Sequence, residues 1–237
     1  MKCLILAAGY ATRLYPLTEN FPKPLLDVKG KPIIEWLIDD LNNLGVIDEY
    51  YLVTNHKFYE HFVSWNKYPN LKVIDDGTIT NETRLGAVKD IDLVIKNENI
   101  NDDLLIMAGD NVLDFSLKNF IEYQKDKNMS SVMRFYQDDI NLLRKTGVAE
   151  INKEDVITSM EEKPSEPKSN WTIPPFYIIS KQDLKYIDEA IKDGINVDAP
   201  GSFIAYLAKK TKVYAHLMDG HRIDIGDLDT YNKINSK

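Results

Sequence analysis

The stretch from Ala8 to Pro24 gathers residue types that bind anions: Gly9, Thr12, Arg13 and Lys23. A glycine leaves backbone N–H groups open, and with a hydroxyl and two cations these suit a polyphosphate. Arg13 carries a planar, permanently charged fork that matches two phosphate oxygens at once. Lys23 stands between Pro22 and Pro24, which restrict the backbone and so fix where the ammonium points. A glycine and two cations also describe many solvated surface loops, so the elements around them decide the matter.

The loop leaves the carboxyl end of Lys2–Ala8 (KCLILAA), an apolar run with no helical period that reads as a buried strand. In an open α/β sheet, ligands bind outside the carboxyl ends of the strands. Pro32 then opens an amphipathic helix with Ile33, Ile34, Leu37, Ile38 and Leu41 on one face and Gly45 at its end. Further strands are predicted at Glu49–Thr54, Leu71–Ile74 and Leu104–Ala108, with helices over His56–Trp65 and from Glu82 to Ile95. Strand and helix alternate over roughly the first 110 residues, the pattern of an α/β fold with a mostly parallel sheet. The second half is richer in strands: Ser131–Tyr136, Val148–Ile151, Val156–Met160, Phe176–Ile179 and Val213–Leu217. Ser180 is expected to cap a helix through Ile191, and helices follow from Asp198 to Lys209 and from Leu228 to Ile234. No linker or repeat interrupts the chain. The expected organisation is one domain over 1–237, with halves meeting near residue 115.

The chain has 237 residues, a net charge of −8 and 43% hydrophobic residues, which is ordinary for a globular protein with a core. Its single cysteine, Cys3, excludes an internal disulfide and a Cys-rich zinc site. The acidic balance argues against nucleic acid as a partner. No apolar run is long enough to span a bilayer, and no leader is recognisable, so a cytoplasmic location is expected. The charge is uneven. Residues 1–31 carry a net +3, and the other 206 carry −11.

The string LAAGYATRLYPLTENFPKPLLDVKGKPII, residues 6–34, closely resembles the signature of the sugar-phosphate nucleotidyltransferases, the NDP-sugar pyrophosphorylases. Gly9, Thr12, Arg13, Leu14, Pro16, Leu17, Thr18, Pro22, Lys23 and Pro24 match that pattern. Ala11 replaces its second glycine, a methyl that fits if the backbone angle there is negative. Gly109-Asp110-Asn111, then Gly147 and Glu162-Lys163-Pro164, then Asp224-Ile225-Gly226 with Tyr231, follow in the family's order. Arg222 stands where the family has Trp. The resemblance covers nearly the whole chain and implies a Rossmann-like nucleotidyltransferase fold.

It also implies a reaction: a nucleoside triphosphate and a sugar 1-phosphate give a nucleoside-diphosphate sugar and pyrophosphate. Arg13 and Lys23 then take catalytic roles, Arg13 on the leaving pyrophosphate and Lys23 on the α-phosphate and the attacking phosphate. Asp110 and Asp224 become ligands for Mg²⁺, which favours one or two carboxylates plus phosphate oxygens and water. Asp227 and Asp229 lie close enough to be alternatives to Asp224. Ala8, Gly9, Ala11, Thr12, Thr78 and Gly86 would form the nucleotide site, and Gly147, Glu162, Lys163 and Tyr177 the acceptor site. The implied donor is a pyrimidine triphosphate. Pro174 and Pro175 depart from the family's Gly-rich strand start. With Trp171 nearby, they keep open a CTP-dependent enzyme for phosphocholine, phosphoethanolamine or another non-sugar phosphate. A nucleotide-sensing subunit without turnover is the third reading. Many relatives oligomerise, which leaves a homo-oligomer open. The chain ends soon after its last motif, so no appended domain is expected.

Overall fold

The computed structural model describes residues 1–235. The chain divides into two compact units, each assembled from more than one stretch. The first comprises Met1–Arg84, Ala108–Leu117 and the C-terminal segment from Asp219. The second comprises Leu85–Met107 and Lys118–Met218. Among the described residues, no helix is long and apolar enough to cross a membrane.

The first unit contains the parallel sheet. Lys2–Leu6 pairs in parallel with Glu49–Thr54, Lys2 opposite Glu49, and Glu49–Thr54 pairs in parallel with Leu71–Asp75. Cys3, Leu4 and Ile5 are wholly buried, as expected for a strand covered on both faces. The helix Ile33–Leu44 buries Ile33, Ile34, Leu37, Ile38 and Leu41. It ends at Gly45, which adopts φ +62° so that its N–H can close on the carbonyls of Leu41 and Asn42. A two-stranded antiparallel ribbon joins Asn111–Leu113 to Arg222–Asp224, so the end of the chain returns to the first unit.

The second unit is mostly antiparallel. Phe176–Ile179 lies antiparallel to Leu104–Ala108 and to Ser131–Tyr136, and Gly147–Ile151 pairs with Ile157–Glu162 and with Trp171–Ile173. Tyr214–Leu217 is the exception, running parallel to Ser131–Tyr136.

Several expected boundaries shift, each for a local reason. The helix expected from Glu82 begins at Ala87, because Gly86 takes φ +90° and a 3₁₀ turn occupies Asn81–Thr83. The helix expected from Asp198 begins at Gly201. Ser180 does not cap through its hydroxyl, which donates instead to Asp183 Oδ2 at 2.8 Å. The helix Lys118–Lys127 was not anticipated; it buries only Phe120, Ile121 and Gln124 in an otherwise charged segment.

Candidate active site

In the first unit, three of the singled-out residues converge. Lys23 opens a 3₁₀ turn, Lys23–Leu25, and is 7% exposed. Its ammonium donates to Asp110 Oδ2 at 2.6 Å and lies 3.5 Å from Asp224 Oδ1. The two aspartates, far apart in the chain, meet because the ribbon places Asp224 opposite Asn111, directly after Asp110. Ile225, fully buried, packs with Leu26, Val28, Ile33 and Ile234. Leu26, three residues after Lys23, and Ile225, directly after Asp224, therefore share one cluster. Gly109 permits the turn before Asp110. A Cβ there would come 3.1 Å from Ile5 Cγ2 and 3.5 Å from Pro24 Cβ.

The contacts close into a ring. Asn111 Nδ2 donates to Asp110 Oδ1 at 2.8 Å, and Arg222 Nη1 donates to Asn111 Oδ1. Arg222 also lies 3.7 Å from Asp224 Oδ2. Asp227 is occupied elsewhere, since its carboxylate accepts from Thr230 N at 2.8 Å and caps the last helix. Asn111 and Arg222 were missed as site residues, since only the register of two three-residue strands brings them together.

Two hard carboxylates facing a common point, one-third and one-half exposed as side chains, suit Mg²⁺. Among the described residues, no group of three or more His, Cys, Asp or Glu side chains could hold a metal. Phosphate oxygens and water would complete the ligand set.

Arg13 stands outside this ring, exposed on the 3₁₀ turn Thr12–Leu14, with Leu14 buried beneath it. Thr12 is exposed on the same turn. Ala11 adopts φ +48°, the left-handed region, so the condition under which a methyl fits there, a negative angle, is not met. The methyl is therefore strained, and that is the physical reason a glycine suits this position. Two hydrogen bonds steady it: the carbonyl of Ala11 accepts from the buried Thr18 hydroxyl at 2.8 Å and from Leu14 N at 3.0 Å. Ala8 is braced by Asn55, whose Nδ2 donates to Ala8 O at 3.0 Å while its Oδ1 accepts from Phe58 N. Asn55 is a third residue missed in the sequence, although an Asn between a strand and a helix signals a cap. Gly9 has open space where a side chain would stand.

Thr78 is buried and committed. Its N–H and hydroxyl both donate to Asp76 Oδ1, at 2.6 and 2.7 Å, and its carbonyl accepts from His56 N. Burial pushes the Asp76 carboxyl up, and the two Thr78 hydrogen bonds oppose that shift.

In the second unit, Gly86 is required by packing. A Cβ would come 2.7 Å from Val197 O. Gly147, Glu162 and Lys163 are neighbours: Gly147 pairs with Glu162 across two strands, and Lys163 N donates to Thr146 O. Burial pushes the Glu162 carboxyl up, and the Lys163 charge works against it. A Cβ on Gly147 would come 3.0 Å from Glu162 Oε2, and one on Gly201 would overlap that oxygen outright. Gly201 is a fourth residue missed in the sequence; a glycine as first residue of a helix is its one signal. Tyr177 corrects an expectation. It is 1% exposed, paired with Ile106 and Val132, and serves the core rather than an acceptor site.

A sheet edge that gathers a cationic, glycine-bearing loop and paired carboxylates is the layout of a phosphate-handling α/β protein. Residues 2–237 match the model of the nucleotidyl transferase family, and the chain belongs to that family. Bifunctional protein GlmU of Methanocaldococcus jannaschii is 28% identical over 228 residues, covering 95% of this chain and 51% of that protein. The UTP–glucose-1-phosphate uridylyltransferase AglF of Haloferax volcanii is 29% identical over 180 residues, 75% of this chain and 71% of its own. The solved structure of a UDP-glucose pyrophosphorylase complexed with UDP-glucose shares the fold. It has a TM-score of 0.82 at 21% identity and covers 99% of this chain and 97% of that one. The chain thus spans about half the length of the GlmU it matches.

Proposed function

We propose that this chain transfers a nucleotidyl group from a pyrimidine nucleoside triphosphate to a sugar 1-phosphate and releases pyrophosphate. The observation that carries the reading is the meeting of Asp110, Asp224 and Lys23 in a unit that also contains the Gly9–Arg13 loop. The relative named for sugar-1-phosphate uridylyl transfer supports it.

The acceptor's phosphate oxygen attacks the α-phosphorus in line, and the bond from that phosphorus to the β-phosphate oxygen breaks. Two polyanions must approach, so positioning and charge stabilisation dominate. Arg13 holds the departing pyrophosphate with its exposed fork. Lys23 stands on the α-phosphate and the attacking phosphate, anchored by Asp110 and directed by the two prolines beside it. Asp110 and Asp224 would hold Mg²⁺, which neutralises phosphate charge in the transition state. Ala8, Gly9, Ala11 and Thr12 line the nucleotide through backbone and hydroxyl groups, and Thr78, whose own polar groups are taken up by Asp76 and His56, is the candidate to pack beside the base. In the second unit, Glu162 accepts from an acceptor hydroxyl, Lys163 takes its phosphate, and Gly147 and Gly201 leave room for the Glu162 carboxylate.

The test is pyrophosphate release by the purified protein with Mg²⁺, each nucleoside triphosphate and a panel of acceptors. The expected result is release with a pyrimidine triphosphate and a sugar 1-phosphate. Product formed only with CTP and phosphocholine or phosphoethanolamine would replace the acceptor in this reading. No release with any pair would overturn it.

A further inference from the structure

The ring at Asp110 has a charge balance that the family pattern does not supply. With both aspartates ionised, Lys23 and Arg222 cancel Asp110 and Asp224. Each charged member touches an opposite charge, and Asn111 joins Arg222 to Asp110. Arg222 is held on its strand opposite Leu113, with its side chain about one-fifth exposed, so the guanidinium is part of the folded site rather than a passing surface contact.

We propose that Arg222 is a positioning residue that keeps the carboxylate pair neutralised in the free protein, so that the divalent cation enters together with the triphosphate and not before it. The inference rests on the proposed nucleotidyl transfer and concerns this chain's own arginine. A dication arriving alone meets two carboxylates already countered by two fixed cations, and it is repelled by both. The triphosphate reverses this balance. Its negative charge draws Lys23 and Arg222 towards phosphate oxygens and releases the carboxylates. Arg222 also fixes the side chains it touches: its fork orients the Asn111 amide, which in turn orients Asp110 Oδ1.

The experiment is Mn²⁺ binding to the full chain, followed by the electron paramagnetic resonance signal of free Mn²⁺, first without nucleotide. Arg222→Gln and Arg222→Met remove the charge, one with a polar and one with an apolar side chain, so that loss of fold in one does not end the test. Both are expected to bind Mn²⁺ at least about tenfold more tightly than wild type, given the charge removed within a few ångströms of the carboxylates. Arg222→Lys, which keeps the charge, should stay near wild type. With UTP, CTP or dTTP added and no acceptor, the gap between wild type and the neutral variants should narrow. Equal Mn²⁺ affinity in wild type and both neutral variants without nucleotide would overturn the inference. If that result came with pyrophosphate release by the wild type, nucleotidyl transfer would stand and only the role of Arg222 would fall. If the wild type neither bound Mn²⁺ with any nucleotide nor released pyrophosphate, the site reading itself would fall.

Discussion

The two units place carboxylates in opposite ways. In the first, Asp110 and Asp224 remain partly open to solvent and are each met by a cation, Lys23 between them and Arg222 beside Asp224. In the second, Glu162 is half-buried against two glycines, and its carboxyl is raised by burial with the Lys163 charge opposing. The first arrangement stores charge ready to be exchanged for a ligand's charge. The second makes room by leaving out side chains and accepts a desolvation cost, which a ligand hydroxyl or cation can offset. The proposed nucleotidyl transfer calls for both: charge that can be traded at one substrate, and shape that selects the other.

Lys23 should show the largest effect. Lys23→Met removes the cation that touches both aspartates and leaves them facing each other. Turnover is expected to fall by roughly 10²–10³, the usual loss for one fixed donor at a transition state. Initial-rate pyrophosphate assays check it, and near-wild-type turnover would break the distinction between the units. Next in size is the contrast between Asp224→Asn and Asp227→Asn. The first should lose about 10²-fold in turnover with its melting temperature little changed. The second should keep turnover and lose about 1 kcal/mol or less of stability, because Asn also caps a helix. Equal loss of turnover in both would mean the ribbon register does not select the functional carboxylate.

In the second unit the expected effect is on binding. Gly201→Ala forces the Glu162 carboxylate aside, since the atom it meets is the far end of a flexible chain. A several-fold rise in the acceptor KM, with the nucleotide KM unchanged, is the expected result of steady-state kinetics. Glu162 also carries a pH signature. Its raised pKa means that the folded protein holds this proton more tightly than the unfolded chain. Its contribution to stability is therefore present below the ordinary glutamate value and is lost as pH rises through the folded value. Melting curves should show Glu162→Gln more stable than wild type at neutral pH, and the difference should shrink as the pH falls below the ordinary glutamate value. The smallest effect is at the strained loop. Ala11→Gly relieves the left-handed alanine and should add about 0.5–1 kcal/mol by denaturant titration.

Much of this was legible in the sequence where apolar runs are continuous. Glu49–Thr54, Leu104–Ala108, Ser131–Tyr136 and Phe176–Ile179 lie at the residues expected. The cationic loop and the aspartates could be named from residue type and order. What could not be read was who meets whom. Asn111 and Arg222 are 111 positions apart and join through strands of three residues, too short to leave a periodic signal. Gly201 matters because of an oxygen that belongs to Glu162, and no local pattern encodes that. Ala11 needed a backbone angle, which depends on the Thr18 hydroxyl seven residues on.

The most direct test follows label through the reaction. The protein is incubated with Mg²⁺, a sugar 1-phosphate and a pyrimidine triphosphate labelled either at the α- or at the γ-phosphate. Nucleotidyl transfer places the α-label in a nucleoside-diphosphate sugar and the γ-label in pyrophosphate, and Lys23→Met should all but abolish both. A γ-label recovered only as inorganic phosphate, or no transfer of the α-label with any acceptor, would contradict the assignment of the Asp110–Lys23–Asp224 site to this chemistry.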